Sequence, residues 1–106
     1  VSDPGLRDFL SEARLRAIDE AFRPQYLIVF GSRVYGEPDR WSDIDLIVVS
    51  QPFRDIPRPE RARTFTREIC PLAGIDVLCY TPEEFERHRH EAGVLAEACE
   101  RGLWIR

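Results

Sequence analysis

Two carboxylates, Asp43 and Asp45, head an apolar run, Ile44 to Val49, that otherwise reads as a strand buried on both faces. An ionised carboxylate taken out of water without a partner normally neutralises, pairs or binds a metal. Alternate residues of a strand share a face, so Asp43 and Asp45 project together while Ile44, Leu46 and Val48 point the other way. Two such charges at ~4 Å repel by roughly 4 kcal/mol in an effective dielectric of about 20, a cost that a divalent cation reverses. Asp76 likewise interrupts a second apolar run, Ile75 to Cys79. If the two strands are neighbours, three carboxylates converge. Their hard oxygens suit Mg²⁺ or Mn²⁺, with coordination positions left for water and phosphate. Two such ions about 4 Å apart stabilise both the attacking and the leaving oxygen of an in-line phosphoryl displacement. A purely structural reading stays open: Asp43 closing a turn, Asp45 paired with an arginine, Asp76 sitting in the turn at Gly74.

Gly31 and Ser32 follow another apolar run, Tyr26 to Phe30, and ten residues, Arg33 to Ser42, separate them from Asp43. Glycine lets a backbone approach a ligand closely, and Ser32 offers a hydroxyl and an N–H where a helical turn can begin, an anion-binding arrangement. Ser42, beside the first carboxylate, either orients a phosphate or satisfies a strand-end amide. Trp41 either stacks on a base or packs over the core, the commoner outcome for a loop aromatic. His88 and His90 lie two apart on a predicted helix and so on different faces; they read as surface residues. Arg58 and Arg61 share one face of another predicted helix, Arg63 and Arg67 a second. Solvation explains this basic run more simply than a phosphate clamp, with partner docking as the alternative.

The elements that must position these groups follow from periodicity and punctuation. Asp3 and Pro4 open a helix whose apolar residues recur from Phe9 to Phe22 and which Pro24 ends. Tyr26 to Phe30 is a buried strand, Ser32 to Tyr35 a helical turn, and Gly36, Pro38 and Asp39 a loop. Asp43 to Ser50 is the second strand, Pro52 to Pro59 a connection, Glu60 to Ile69 a helix and Ile75 to Tyr80 the third strand. Thr81, Pro82 and Glu84 form a capping-box signature. A last helix, Ala92 to Cys99, stops at Gly102, and Leu103 to Ile105 is a final strand with Trp104 in the core. The pattern predicts an α/β (α+β) chain: a small mixed β-sheet flanked by helices, as one domain over residues 1–106.

The composition, 43% hydrophobic and 32% charged, is that of a globular domain. A net charge of −4 argues against general nucleic-acid binding, which depends on cationic groups displacing counterions. All fifteen basic residues are arginines, a bias that suits phosphate or carboxylate recognition but is explained as well by genomic base composition. Cys70, Cys79 and Cys99 form no C-x-x-C and read as three buried small hydrophobes, without disulfide or zinc. No apolar run is long enough for a bilayer and the first residues do not resemble a signal peptide, so a cytoplasmic location and no membrane association are expected.

Gly31-Ser32, a ten-residue spacer, Asp43-x-Asp45 and the later strand carboxylate Asp76 resemble the nucleotidyltransferase superfamily of DNA polymerase beta, and within it the minimal nucleotidyltransferases. The resemblance implies a polymerase-beta-like core that moves a nucleoside monophosphate from an NTP to an acceptor hydroxyl with loss of pyrophosphate. It assigns two Mg²⁺ ions (or Mn²⁺) to Asp43, Asp45 and Asp76 as metal ligands and catalytic residues, and the triphosphate of ATP to Gly31, Ser32, Arg33 and Ser42. Many members read Gly-Ser-x-Ala-Arg-Gly; here Tyr35 stands in place of that arginine, with Arg33 or Arg40 as substitutes. The chain resembles most the antitoxin half of HEPN-MNT toxin-antitoxin pairs, which implies transfer of AMP to a tyrosine of a HEPN ribonuclease partner. Transfer to a small molecule or to RNA, and neutralisation of a partner by contact alone, are the alternatives. Both homo- and hetero-oligomers are compatible with the sequence.

Overall fold

A computed structural model of the protein describes residues 4–35, 44–69 and 74–106. Arg40, Trp41, Ser42, Asp43 and Cys70, all named above, lie outside the described residues. The segment expected to form one N-terminal helix is two, α1 (Pro4–Phe9) and α2 (Glu12–Phe22). Ser11 makes the break: its hydroxyl accepts the Arg14 N–H at 3.3 Å, so it caps α2 instead of continuing α1. Arg23 ends α2 in the left-handed conformation, φ 45°, its N–H donating to the Asp19 carbonyl, and Pro24 follows.

The chain continues through β1 (Tyr26–Phe30), α3 (Ser32–Tyr35) and β2 (Ile44–Val49). The expected plain connection after β2 contains a 3₁₀ turn, Gln51–Asp55, with Pro52 in its first turn and Phe53 driven into the core. Then come α4 (Arg58–Ile69), β3 (Ile75–Tyr80), α5 (Pro82–His88), α6 (Val94–Arg101) and β4 (Leu103–Trp104). The capping box that opens α5 is present: the Thr81 hydroxyl accepts the Glu84 N–H at 3.2 Å, and Glu84 Oε1 accepts the Thr81 N–H at 2.8 Å. Gly102 stops α6, as expected, where the turn passes close to β1; a Cβ there would lie 2.7 Å from Ile28 Cγ2.

The strands form one four-stranded sheet in the order β3-β2-β1-β4, with β2 and β3 parallel and the other pairs antiparallel. This is the mixed sheet the sequence predicts. Helices cover both faces, which is why the central strands β1 and β2 are apolar except at Asp45. On one face Leu27, Val29, Ile44, Leu46, Val48 and Val77 pack against Leu6, Phe9, Ile18, Phe22 and Phe65 of α1, α2 and α4. On the other, Ile28, Ile47 and Val49 pack against Phe85, Leu95 and Ala98 of α5 and α6. Ser50, buried just after β2, donates its hydroxyl to the Phe22 carbonyl and ties the sheet to the end of α2.

Two expectations about the core are corrected. Trp104 is 37% exposed, because β4 is a two-residue strand at the sheet margin with no further strand beyond it among the described residues. Its ring stands edge-on to Tyr26 at 5.3 Å, and Arg89 lies over the Phe85 ring of the same aromatic group at 4.9 Å. Cys79 and Cys99 are half-buried, not fully buried, since both sit on elements at the border of the sandwich. Burial still pushes the Cys79 thiol up to about 12, with the Arg61 charge opposing, so it stays protonated and unreactive.

Candidate active site

Strand direction alone brings three of the sequence-selected residues to one end of the sheet. Because β1 and β2 are antiparallel, the end of β1 meets the start of β2: Phe30 is registered with Asp45, and Gly31 comes next. Because β2 and β3 are parallel, their starts coincide, and Asp45 is registered with Asp76. Residues directly across a parallel pair share a face, on strands about 4.8 Å apart. The face is the one of Ile47 and Leu78, toward α5 and α6. Asp45 is half-buried and Asp76 exposed, so the pair passes from the core rim to solvent.

Gly31 is adapted to this neighbour. Its φ of +83° lies in the left-handed region, and a Cβ on it would fall on Asp45 Oδ2 and stand 3.0 Å from Asp45 Cγ. The glycine both makes the turn and leaves the room that the Asp45 carboxylate occupies. Its carbonyl then accepts the N–H groups of Val34 at 3.0 Å and Tyr35 at 3.1 Å, which starts α3 with Ser32 as its first residue. Ser32 and Arg33 are half-buried on this single turn. Gly31, Ser32, Asp45 and Asp76 therefore belong to one end of the molecule, whereas Ser42 and Asp43 lie outside the described residues. Among the described residues, no group of three or more His, Cys, Asp or Glu side chains is gathered closely enough to hold a metal. The donor set described is the Asp45 and Asp76 pair, two hard oxygen donors of the kind a divalent ion takes.

Tyr35, which stands where a motif arginine is common, carries an arginine over its ring: the Arg101 guanidinium lies 4.3 Å from the ring centroid and also pairs with Glu97 at 3.0 Å. Sequence reasoning missed this, since α3 and α6 are far apart in the chain. Arg61 is a second correction. It was expected on a solvated face, but it is buried, donating to Glu84 at 2.6 Å, to the Ile56 carbonyl at 2.9 Å and to the Cys79 carbonyl at 3.4 Å. The signal was present in its position one turn before the core residue Phe65. Arg58, exposed as expected, also reaches Glu84, at 3.2 Å. Burial alone would raise the Glu84 pKa, but the Arg61 and Thr81 hydrogen bonds, the Arg61 charge and the Arg58 hydrogen bond prevail and hold it at about 2. His90 is exposed and His88 partly so, with Nδ1 3.2 Å from Glu91, as surface residues should be.

An open groove of about 490 Å³ runs between α4 and β3, lined by Ala62, Arg63, Thr66, Arg67, Ile75, Asp76 and Val77. Ile75 and Val77 line it from the α4 face of the edge strand β3, whereas the side chain of Asp76, at its border, projects to the opposite face with Leu78. Among the described residues no helix is long and apolar enough to cross a membrane.

Comparison with known proteins bears on the same residues. No curated protein matches the chain. The fold is similar to that of a candidate nucleotidyltransferase from Sulfolobus solfataricus solved by crystallography, with 22% identity, a TM-score of 0.54, and 71% of this chain covered against 67% of the other. The model of the nucleotidyltransferase domain family matches residues 12–72, a span that includes Gly31, Ser32, Asp43 and Asp45 and stops short of Asp76. Since that match takes in more than half of the chain and runs through the strand, turn and strand that build the site, the protein belongs to the nucleotidyltransferase domain family.

Proposed function

We propose that the protein transfers AMP from ATP to a tyrosine hydroxyl of a HEPN-domain partner, acting as the antitoxin of the pair. The observation that carries the transfer chemistry is the register pairing of Asp45 with Asp76 at the sheet end where Gly31 abuts Asp45. Asp43, Asp45 and Asp76 would hold two Mg²⁺ ions, or Mn²⁺. When bound, such ions neutralise the triphosphate and the charge that builds up on its oxygens. Gly31, Ser32, Arg33 and Ser42 orient the phosphate chain. The acceptor oxygen attacks the α-phosphorus, the new O–P bond forms as the bond to the β-phosphate oxygen breaks, and pyrophosphate leaves. The acceptor proton passes to Asp76, which borders the open groove and is exposed to return it to water.

The tyrosine acceptor and HEPN partner rest on the resemblance of the motif. Incubation with α-labelled ATP, Mg²⁺ and the product of the adjacent gene tests it. Label is expected on a partner tyrosine with wild type and is lost with Asp45→Asn, at unchanged melting temperature to within a few degrees. Label on RNA or on an aminoglycoside instead would move the acceptor. Equal neutralisation of the partner by Asp45→Asn would replace catalysis by contact inhibition.

A further inference from the structure

Three arginines among the described residues lie over aromatic rings, and one of them does so at the carboxylate end of the sheet. Arg14 covers Phe9, between α1 and α2. Arg89 covers Tyr26, Phe85 and Trp104, a group at the start of β1. Arg101 covers Tyr35, at the end of α3. The place of Arg101 follows from topology. α6 packs on the face of the sheet toward which Asp45 and Asp76 project. β4 runs antiparallel to β1, with Leu103 opposite Val29, so the residues that lead from α6 into β4 lie beside the end of β1. α3 stands across that end: Val34 packs into the core of the other face, and Tyr35 meets Arg101.

The contact with Tyr35 leaves the cation usable. A guanidinium stacked on a ring gives the ring its face and keeps its N–H donors around its edge. One of these, on Nη1, goes to Glu97 at 3.0 Å, and the arginine side chain is 54% exposed. An exposed pair one turn apart on a helix is weak and exchanges readily for a stronger partner. Phosphate is such a partner, since it accepts two parallel bonds from the arginine fork. We infer that Arg101 is a phosphate-binding residue of the active site: Tyr35 and Glu97 hold its guanidinium beside the Gly31-Ser32 turn, where its donors take phosphate oxygens of the nucleotide. The inference rests on the transfer reading above and adds to it a cation supplied from α6, outside the residues 12–72 that the family model matches. Asp45 and Asp76 already make this end of the sheet anionic, so a polyanion that settles there needs cationic partners, and Arg101 brings one.

Titration calorimetry of ATP and of inorganic tripolyphosphate, each with Mg²⁺, tests this on the whole chain and apart from catalysis. Arg101→Gln is expected to weaken both at least tenfold, with the melting temperature unchanged to within a few degrees because the side chain is half exposed. Arg101→Lys, which keeps the charge without the fork, should lose less. Tyr35→Arg added to Arg101→Gln returns a guanidinium to the same turn and should recover most of the lost affinity. Glu97→Gln, which releases the guanidinium, should bind ATP no more weakly than wild type. Arg16→Gln, an exposed change of equal charge on α2, behind the opposite face of the sheet, should leave both affinities intact. A loss for ATP that tripolyphosphate does not share places Arg101 on the base or ribose and overturns the inference. A loss that neither Arg101→Lys nor Tyr35→Arg lessens is that of a packing contact between α3 and α6, and overturns it too. Wild type that binds neither ATP nor tripolyphosphate removes the transfer reading itself, whereas ATP binding that Arg101→Gln leaves unchanged removes only the assignment of Arg101.

Discussion

Gly31 shows how much one position can fix. It closes β1 at a φ that side-chain-bearing residues adopt at a cost of roughly 1–2 kcal/mol. The volume its missing Cβ vacates is filled by the Asp45 carboxylate. Gly31→Ala therefore strains the turn and displaces the carboxylate together. Urea denaturation should show a loss of about 2 kcal/mol or more, and nucleotidyl transfer should fall more than tenfold, further than the stability loss alone explains. A variant as stable and active as wild type would mean that Asp45 has other room. The Gly31-Ser32 motif was legible because a glycine after a β-rich run is a local signal. That its purpose is to make room for a carboxylate on the next strand is a tertiary fact, and only the register of Phe30 with Asp45 supplies it.

At the scale of elements, α4 and α5 are strapped together by one carboxylate. Glu84 closes the capping box of α5 and accepts from Arg61 and Arg58 of α4. The cap was legible in Thr81-Pro82-Glu83-Glu84, all of whose partners lie within one turn. The strap was not: the place of Arg61 one turn before Phe65 marks the buried stripe, but that its guanidinium reaches Glu84 of α5 is a tertiary fact set by the packing of α4 on β3. The same limit hid the break at Ser11, where a side-chain cap outweighs a continuous apolar stripe. Glutamine preserves the capping-box acceptor and deletes the charge, so Glu84→Gln isolates the strap. Breaking a buried pair by removing one partner costs about 3 kcal/mol, chiefly through the cation left behind. The pH dependence has a definite sign. With the folded-state pKa lowered from 4.5 to about 2, the contribution of Glu84 is complete above pH 4.5 and is lost as pH falls toward 2. Denaturation midpoints across that window should fall more steeply for wild type than for Glu84→Gln; parallel curves would show that the ion pairs contribute nothing to stability.

The whole molecule places its carboxylates where folding alone would not. One antiparallel and one parallel neighbour of β2 bring the end of β1 and the starts of β2 and β3 to a single sheet end, an arrangement set by strand order and not visible in any one segment. The strands could be read from their composition, but the β2–β3 register is joined through α4, too distant for periodicity to reveal. Its result is like charge directly across a strand pair, Asp45 beside Asp76, which destabilises a sheet by roughly 0.5 kcal/mol. If the pair serves ion binding, as proposed, stability and function oppose each other here. Asp76→Asn should then raise the melting temperature of the metal-free protein by about 2–4 °C. Mg²⁺ should raise that of wild type, through a stabilisation of up to about 2.7 kcal/mol at a concentration a hundredfold above its dissociation constant, and raise that of the variant much less. Differential scanning calorimetry with and without Mg²⁺ measures both shifts. A wild type indifferent to Mg²⁺, with Asp76→Asn no more stable than wild type, would show that the carboxylate pair is neither strained nor built for a cation.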